Sequence, residues 1–127
     1  MLWGAFSSYS VERPAYPGTN EIVAKVRESK PVHGTYFHAC EIETSYMLYV
    51  APDQVDMTKA VHDEPVIPDD FDSTPTPWEQ ITSTGILGDA TLATREKGRA
   101  IIETTVDYMA NILRKSRRDA LTEGEKR

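Results

Sequence analysis

The apolar positions in the last third of the chain form its clearest periodic pattern. Leu92, Ile102, Val106, Met109 and Leu113 fall at three- and four-residue steps, and Ile101 and Ile112 widen the stripe. This spacing predicts an amphipathic helix from Thr91 to Ser116, with Thr91 or Thr94 as its N-cap. A second helical pattern spans Glu41 to Val50, with apolar Ile42, Met47, Leu48 and Val50, and ends before Pro52. A third, from Asn20 to Ser29, would bury Ile22, Val23 and Val26, start from Thr19 or Asn20, and stop at Pro31. Asp53 to Ala60 can add a further helical turn. Met1 to Tyr9 is apolar and aromatic, and reads as a buried strand running into the Pro- and Gly-punctuated loop Val11 to Gly18.

One stretch fits neither period. His62 to Ile86 contains Pro65, Pro68, Pro75 and Pro77 and the acids Asp69, Asp70 and Asp72. Proline removes a backbone donor and fixes φ, so this density excludes both a helix and a central strand. A connection of this length is either disordered or functional. Trp78 within it is a large apolar side chain that needs a surface to pack on.

Length and charge narrow the possibilities. A chain of 127 residues, 39% hydrophobic and 27% charged, suits one domain with a small core. Twenty acidic against fourteen basic residues leave a net charge of -6, which argues against a nucleic-acid partner, because phosphate binding needs a cationic face. The basic cluster Arg114, Lys115, Arg117 and Arg118 lies at the end of the long predicted helix, where cations complement the helix dipole. The residues that follow it, 117–127, read as a charged, fraying tail. Cys40 is the only cysteine, so no internal disulfide can form, which fits a reducing cytoplasm. No apolar run approaches the roughly 18 residues of a membrane span, and no positive region precedes the apolar start as in a signal peptide.

Candidate chemistry concentrates in His38-Ala39-Cys40-Glu41-Ile42-Glu43-Thr44-Ser45, which sets an imidazole and two carboxylates within a short segment entering a helix. One reading is structural: a carboxylate in a first helical turn meets backbone N–H groups that lack partners. The other is that His38 transfers protons and Glu43 binds a metal or orients a water, since histidine titrates near neutrality. His38 and Glu43 alone do not make a metal site, because zinc usually takes about three or four protein ligands. His33 and His62 lack ligand-like spacing and read as ordinary surface residues. Cys40 as a nucleophile is a further alternative: a helix N-terminus would lower its pKa and adjacent Glu41 would raise it. The Gly-rich stretch Gly85 to Thr94 lacks the spacing of a phosphate loop and reads as a turn leading into a helix cap.

Three stretches together resemble the creatininase family. His38 to Met47 (HACEIETSYM) is similar to its His-Ala-Gly-x-x-Glu-Thr-Ser segment, and Pro52 to Met57 (PDQVDM) to the Pro-Asp-x-Val-x-Met that follows. Gly85 to Arg99 (GILGDATLATREKGR) is similar to its Gly-x-x-Gly-Asp-Pro-x-x-Ala-Thr-x-x-Lys-Gly segment. The likeness runs from about Thr35 to Ser116. It implies an α/β fold of three layers, with a mostly parallel sheet between helices. It also implies metal-dependent hydrolysis of a small-molecule amide substrate outside ordinary peptide chains, such as a cyclic amide or a formamide. Most members carry two divalent metals (zinc, manganese or iron) bridged by the attacking water or hydroxide, and members tend to form hexamers. By the resemblance, His38 matches the catalytic histidine that protonates the leaving nitrogen, and Glu43 matches an acid that binds metal or supports the site.

The chain departs from the family pattern in four places. The Glu-x-His-Gly and Asn-Gly-His segments that supply most ligands are absent, Cys40 stands for a glycine, and Ala90 stands for a proline. The match therefore corresponds to the C-terminal half of the family domain, an incomplete unit over residues 1–127. That half implies a truncated reading frame, one piece of a split enzyme, or a degenerate paralogue. Its partners would be a separate N-terminal half or further copies in a homo-oligomer. The rival expectation is a non-catalytic interaction or oligomerisation subunit derived from the family.

Overall fold

The computed structural model describes residues 19–33, 37–68, 71 and 75–124. In chain order the elements are α1 (Thr19–Val26), α2 (Glu41–Val50), β1 (His62–Asp63), β2 (Gly88–Asp89) and α3 (Arg95–Gly124). Short 3-10 turns at Pro52–Gln54, Met57–Lys59 and Trp78–Gln80 punctuate the connections. The expected strand at Met1 to Tyr9 lies outside the described residues.

The pairing of α2 with α3 organises the molecule, and a glycine permits it. A Cβ on Gly98 would lie 1.8 Å from the Ser45 carbonyl oxygen. A glycine inside a helix costs about 1 kcal/mol relative to alanine. Here that cost is offset by a backbone-to-backbone approach that no larger residue allows. Buried Ser45 completes the contact: its hydroxyl donates to the Glu41 carbonyl and accepts the Thr94 N–H at 3.1 Å. Thr94 in turn accepts the Lys97 N–H at 3.2 Å, which makes it the N-cap of α3. The apolar core lies beside this contact and joins Val23 of α1, Cys40, Ile42 of α2 and Ile101 of α3, with Phe37 and Tyr46 packed against it.

β1 and β2 pair antiparallel, with His62 opposite Asp89 and Asp63 opposite Gly88. One residue earlier, Leu87 forms an antiparallel bridge with His38 and donates its N–H to the His38 carbonyl at 2.8 Å. Residues 87–89 thus tie the segment before α2 to the start of the Pro-rich stretch. Gly88 has φ +124°, and a Cβ there would come within 2.9 Å of the Cys40 Cβ, so both its conformation and its space call for glycine.

Several sequence expectations shift. α2 has the predicted bounds, but its buried face is Glu41, Ile42 and Ser45, while Met47 and Val50 are exposed. The approach of α3 at Gly98 selects for small and polar groups on that face. α3 starts at Arg95 and runs to Gly124, past the expected end at Ser116, so the stretch read as a tail is helical to Gly124. The Pro-rich segment opens with the two residues of β1, an edge strand and not a central one, and among its described residues no helix longer than a 3-10 turn forms. The mostly parallel sheet is not seen among the described residues, whose one strand pair is antiparallel.

Candidate functional site

His38, Glu43 and Trp78 come together where α2 begins. The chain enters α2 through Ala39, which has φ +48°, a left-handed conformation that a Cβ makes unfavourable. Its N–H is held by Glu43 Oε2 at 2.7 Å, and its carbonyl accepts the Thr44 hydroxyl at 3.0 Å. Glu43 is the third residue of α2. It reaches back over the helix N-terminus much as the glutamate of a capping box does, while Cys40 at the N-cap makes no side-chain cap. The same Oε2 lies 3.8 Å from His38 Nδ1. The structural and the chemical readings of this segment therefore meet in one carboxylate.

The His38 ring is more than half exposed, and its backbone is pinned by the bridge to Leu87. The Trp78 ring lies 5.5 Å from it, tilted by 38°, and Phe71 meets Trp78 edge-on at 6.2 Å. The surface on which Trp78 packs is thus the candidate catalytic histidine. The sequence signal was present, a large aromatic residue in a functional-length loop, but nothing in it named the partner.

Glu41 is the buried acid of the segment, with 0% exposure. Its carboxylate accepts the Lys97 ammonium at 2.6 Å and the N–H groups of Glu28 (3.0 Å) and Ser29 (2.8 Å) beyond α1. Burial pushes its carboxyl upward, but the bonds from Lys97, Ser29 and Glu28 outweigh it and leave the pKa below the ordinary value. For Lys97, burial pulls the ammonium down, and its contacts with Glu28 and Glu41 outweigh this and raise it. This cluster holds α1, α2 and α3 together behind the His38 segment.

Cys40 is buried against Gly88, and burial pushes its thiol up, so it is a core residue here and not an activated thiolate. His62 is better partnered than its sequence context suggested. Nε2 lies 2.8 Å from Glu64 and Nδ1 3.5 Å from Asp89. The bond to Glu64, with the nearby Asp89 charge, raises its pKa. His33 lines a surface depression with Lys30, Pro31 and Ile67, and His38 is not part of its lining. Among the described residues no three histidine, cysteine or acidic side chains are grouped so as to hold a metal ion. His38 and Glu43 offer two donors, one of which already accepts a backbone N–H. They fit a contribution to a metal site, not a complete one. No described helix is long and apolar enough to cross a membrane.

Comparison with known proteins bears on the family and the fold. The family model described as creatinine amidohydrolase matches residues 8–113. The creatinine amidohydrolase of Pseudomonas putida is 35% identical over 77 residues, which are 61% of this chain and 30% of that protein. Among solved structures, a manganese creatininase superposes with a TM-score of 0.65 at 29% identity, over 86% of this chain and 41% of its own. A mutant creatininase complexed with creatine superposes with a TM-score of 0.64 at 29% identity, over 86% and 41%. The chain therefore spans well under half the length of the relatives it matches.

Proposed function

Because the chain belongs to the creatininase family and has a creatininase-like fold, we propose that it carries the proton-transfer part of a metal-dependent amidohydrolase site, the remaining ligands coming from another segment or chain. The observation that carries this reading is His38: an accessible imidazole whose Nδ1 faces Glu43, on a backbone held by Leu87 and the start of α2. With Nδ1 turned to the carboxylate, Nε2 is the nitrogen that would meet the leaving nitrogen of a small amide. Glu43 orients the ring, and its carboxylate would contribute one metal ligand. Divalent zinc, manganese or iron, when bound, would supply an activated water. Trp78 covers one side of the imidazole and would limit water there. The creatine bound by one structural relative points to a substrate class of small guanidino-amides. On this reading residues 1–127 form one partial family unit, whose mostly parallel sheet would need strands from another segment or chain.

A second reading has an observation of its own. Glu43 Oε2 already caps the start of α2, which is what a non-catalytic descendant would retain. The two readings separate on activity together with bound metal. The chain alone should not hydrolyse creatinine or a formamide. Combined with a protein that carries the Glu-x-His-Gly and Asn-Gly-His segments, it should become active with zinc or manganese. In that complex His38→Ala should lower turnover about a hundredfold, the usual scale for a general acid, with metal content unchanged. Glu43→Ala should lower metal occupancy. A fully active His38→Ala complex would overturn the assignment.

A further inference from the structure

The apolar stripe of α3 continues beyond the body it packs against. Ile101 is buried, yet Val106 is 55% exposed and Leu113 58%, and Ile112 and Leu121 are exposed as well. Ile102, Val106, Met109 and Leu113 are spaced four, three and four residues apart, and Ser116 continues the series. A strict 3.5-residue repeat is the pattern of a helix that pairs with another helix along a narrow seam. α3 has 30 residues and runs to Gly124; the apolar positions Ile102 to Leu113 lie within the family match, which stops at residue 113, and Ser116 and Leu121 lie past it.

We propose that residues 102–121 of α3 dock against the same stretch of a second copy of this chain, antiparallel, about a two-fold axis near Asn111. The charges select this occupant and this direction. The first half of the stretch carries Glu103 and Asp107, and the second half carries Arg114, Lys115, Arg117 and Arg118 against the single acid Asp119. A parallel pair would set like charges beside like. The antiparallel pair sets Met109 against the other copy's Leu113, Val106 against its Ser116, and Ile112 against its own counterpart. In the same register Glu103 beside the seam meets the other copy's Arg117. A two-fold axis repeats each contact, so one self-complementary face serves both copies. The proposal is independent of the amidohydrolase reading.

Sedimentation velocity of the full chain over a concentration series tests it. The expected result is a reversible equilibrium between the 14.3 kDa chain and twice that mass. Leu113→Asp should abolish the dimer with helix content by circular dichroism retained. Glu103→Arg and Arg117→Glu, each creating two like-charge contacts per dimer, should each weaken association by about tenfold. The double variant should restore it to within about threefold of the parent. The Tyr49 hydroxyl also bonds Glu103, and the double variant controls for its loss, because it lacks that bond too. A chain that stays monomeric throughout, a dimer that survives Leu113→Asp, or a double variant no tighter than the single ones would overturn the proposal.

Discussion

Lys97 Nζ lies 2.6 Å from Glu41 Oε1, an ion pair that spans 56 positions of sequence and is closed to solvent on the carboxylate side. The ammonium also contacts Glu28 and donates to the Leu92 carbonyl at 2.8 Å. One cation thus serves α1, α2 and the turn before α3.

Removing that cation should be costly. Lys97→Ala leaves a buried carboxylate with only neutral donors, the Ser29 hydroxyl and the backbone of Glu28 and Ser29, and should destabilise the fold by about 3 kcal/mol in urea unfolding, the scale for breaking a buried pair from one side. The pH dependence follows from the two directions. Glu41 is lowered from 4.5, so its contribution is full above that value and is lost as pH falls through the lower folded pKa. Lys97 is raised from 10.5, so its contribution is full below that value and is lost as pH rises through the higher folded pKa. The parent should therefore outlast Lys97→Ala across the neutral range, and the gap should narrow in strong acid. Equal midpoints at pH 7 would refute the role.

Gly98→Ala should act through backbone overlap. The new methyl would meet the Ser45 carbonyl at 1.8 Å, and neither helix backbone can yield locally. We expect a loss of about 3 kcal/mol or more, the upper end for overpacking, and a fall in Tm. A conserved Tm would mean that α2 and α3 are further apart in solution.

Cys40 should be slow to react. Its burial and raised pKa predict that a disulfide-exchange reagent modifies it only as fast as the protein opens, and rapidly in denaturant. Cys40→Ser should leave activity of the complex intact. Rapid labelling of the folded chain, or a dead Cys40→Ser with full metal, would favour thiol chemistry.

His62 should titrate above 6.5, with the bond to Glu64 as the main cause and Asp89 helping. Because its folded pKa is raised, its support of the β1–β2 pair is complete below the unfolded value and fades as pH rises through the folded one. Proton NMR of the ring checks this. Glu64→Gln should bring the midpoint down, and an unchanged midpoint would remove Glu64 as the cause.

How much of this was legible in the sequence depended on the length scale of the signal. The bounds of α2 were readable because Glu41 opens it and Pro52 follows it, both local features. Its buried face was not readable, because Met47 and Val50 look like core and Ser45 does not until Gly98 arrives from more than fifty residues away. The family segments drew attention to His38 and Glu43, and the structure sets them 3.8 Å apart. Yet Glu41, between them, is legible only as a second carboxylate of the segment and a neighbour of Cys40, since a lone glutamate carries no sign of a distant lysine. The end of α3 is not legible for a different reason. Residues 111–119 are all exposed, and helices without a buried face usually fray.

The close seating of Gly98 on Ser45 bears on how freely the chain between them can be rewritten. That contact brings together the ends of the whole excursion from Ala51 to Ala93. Closure entropy grows only with the logarithm of length, so doubling the excursion would add about 0.6 kcal/mol, a fraction of what the seat itself contributes. Insertions and deletions in the Pro-rich stretch are therefore thermodynamically mild. Trp78, which that stretch holds against His38, can be re-aimed or replaced over evolutionary time while the imidazole keeps its place.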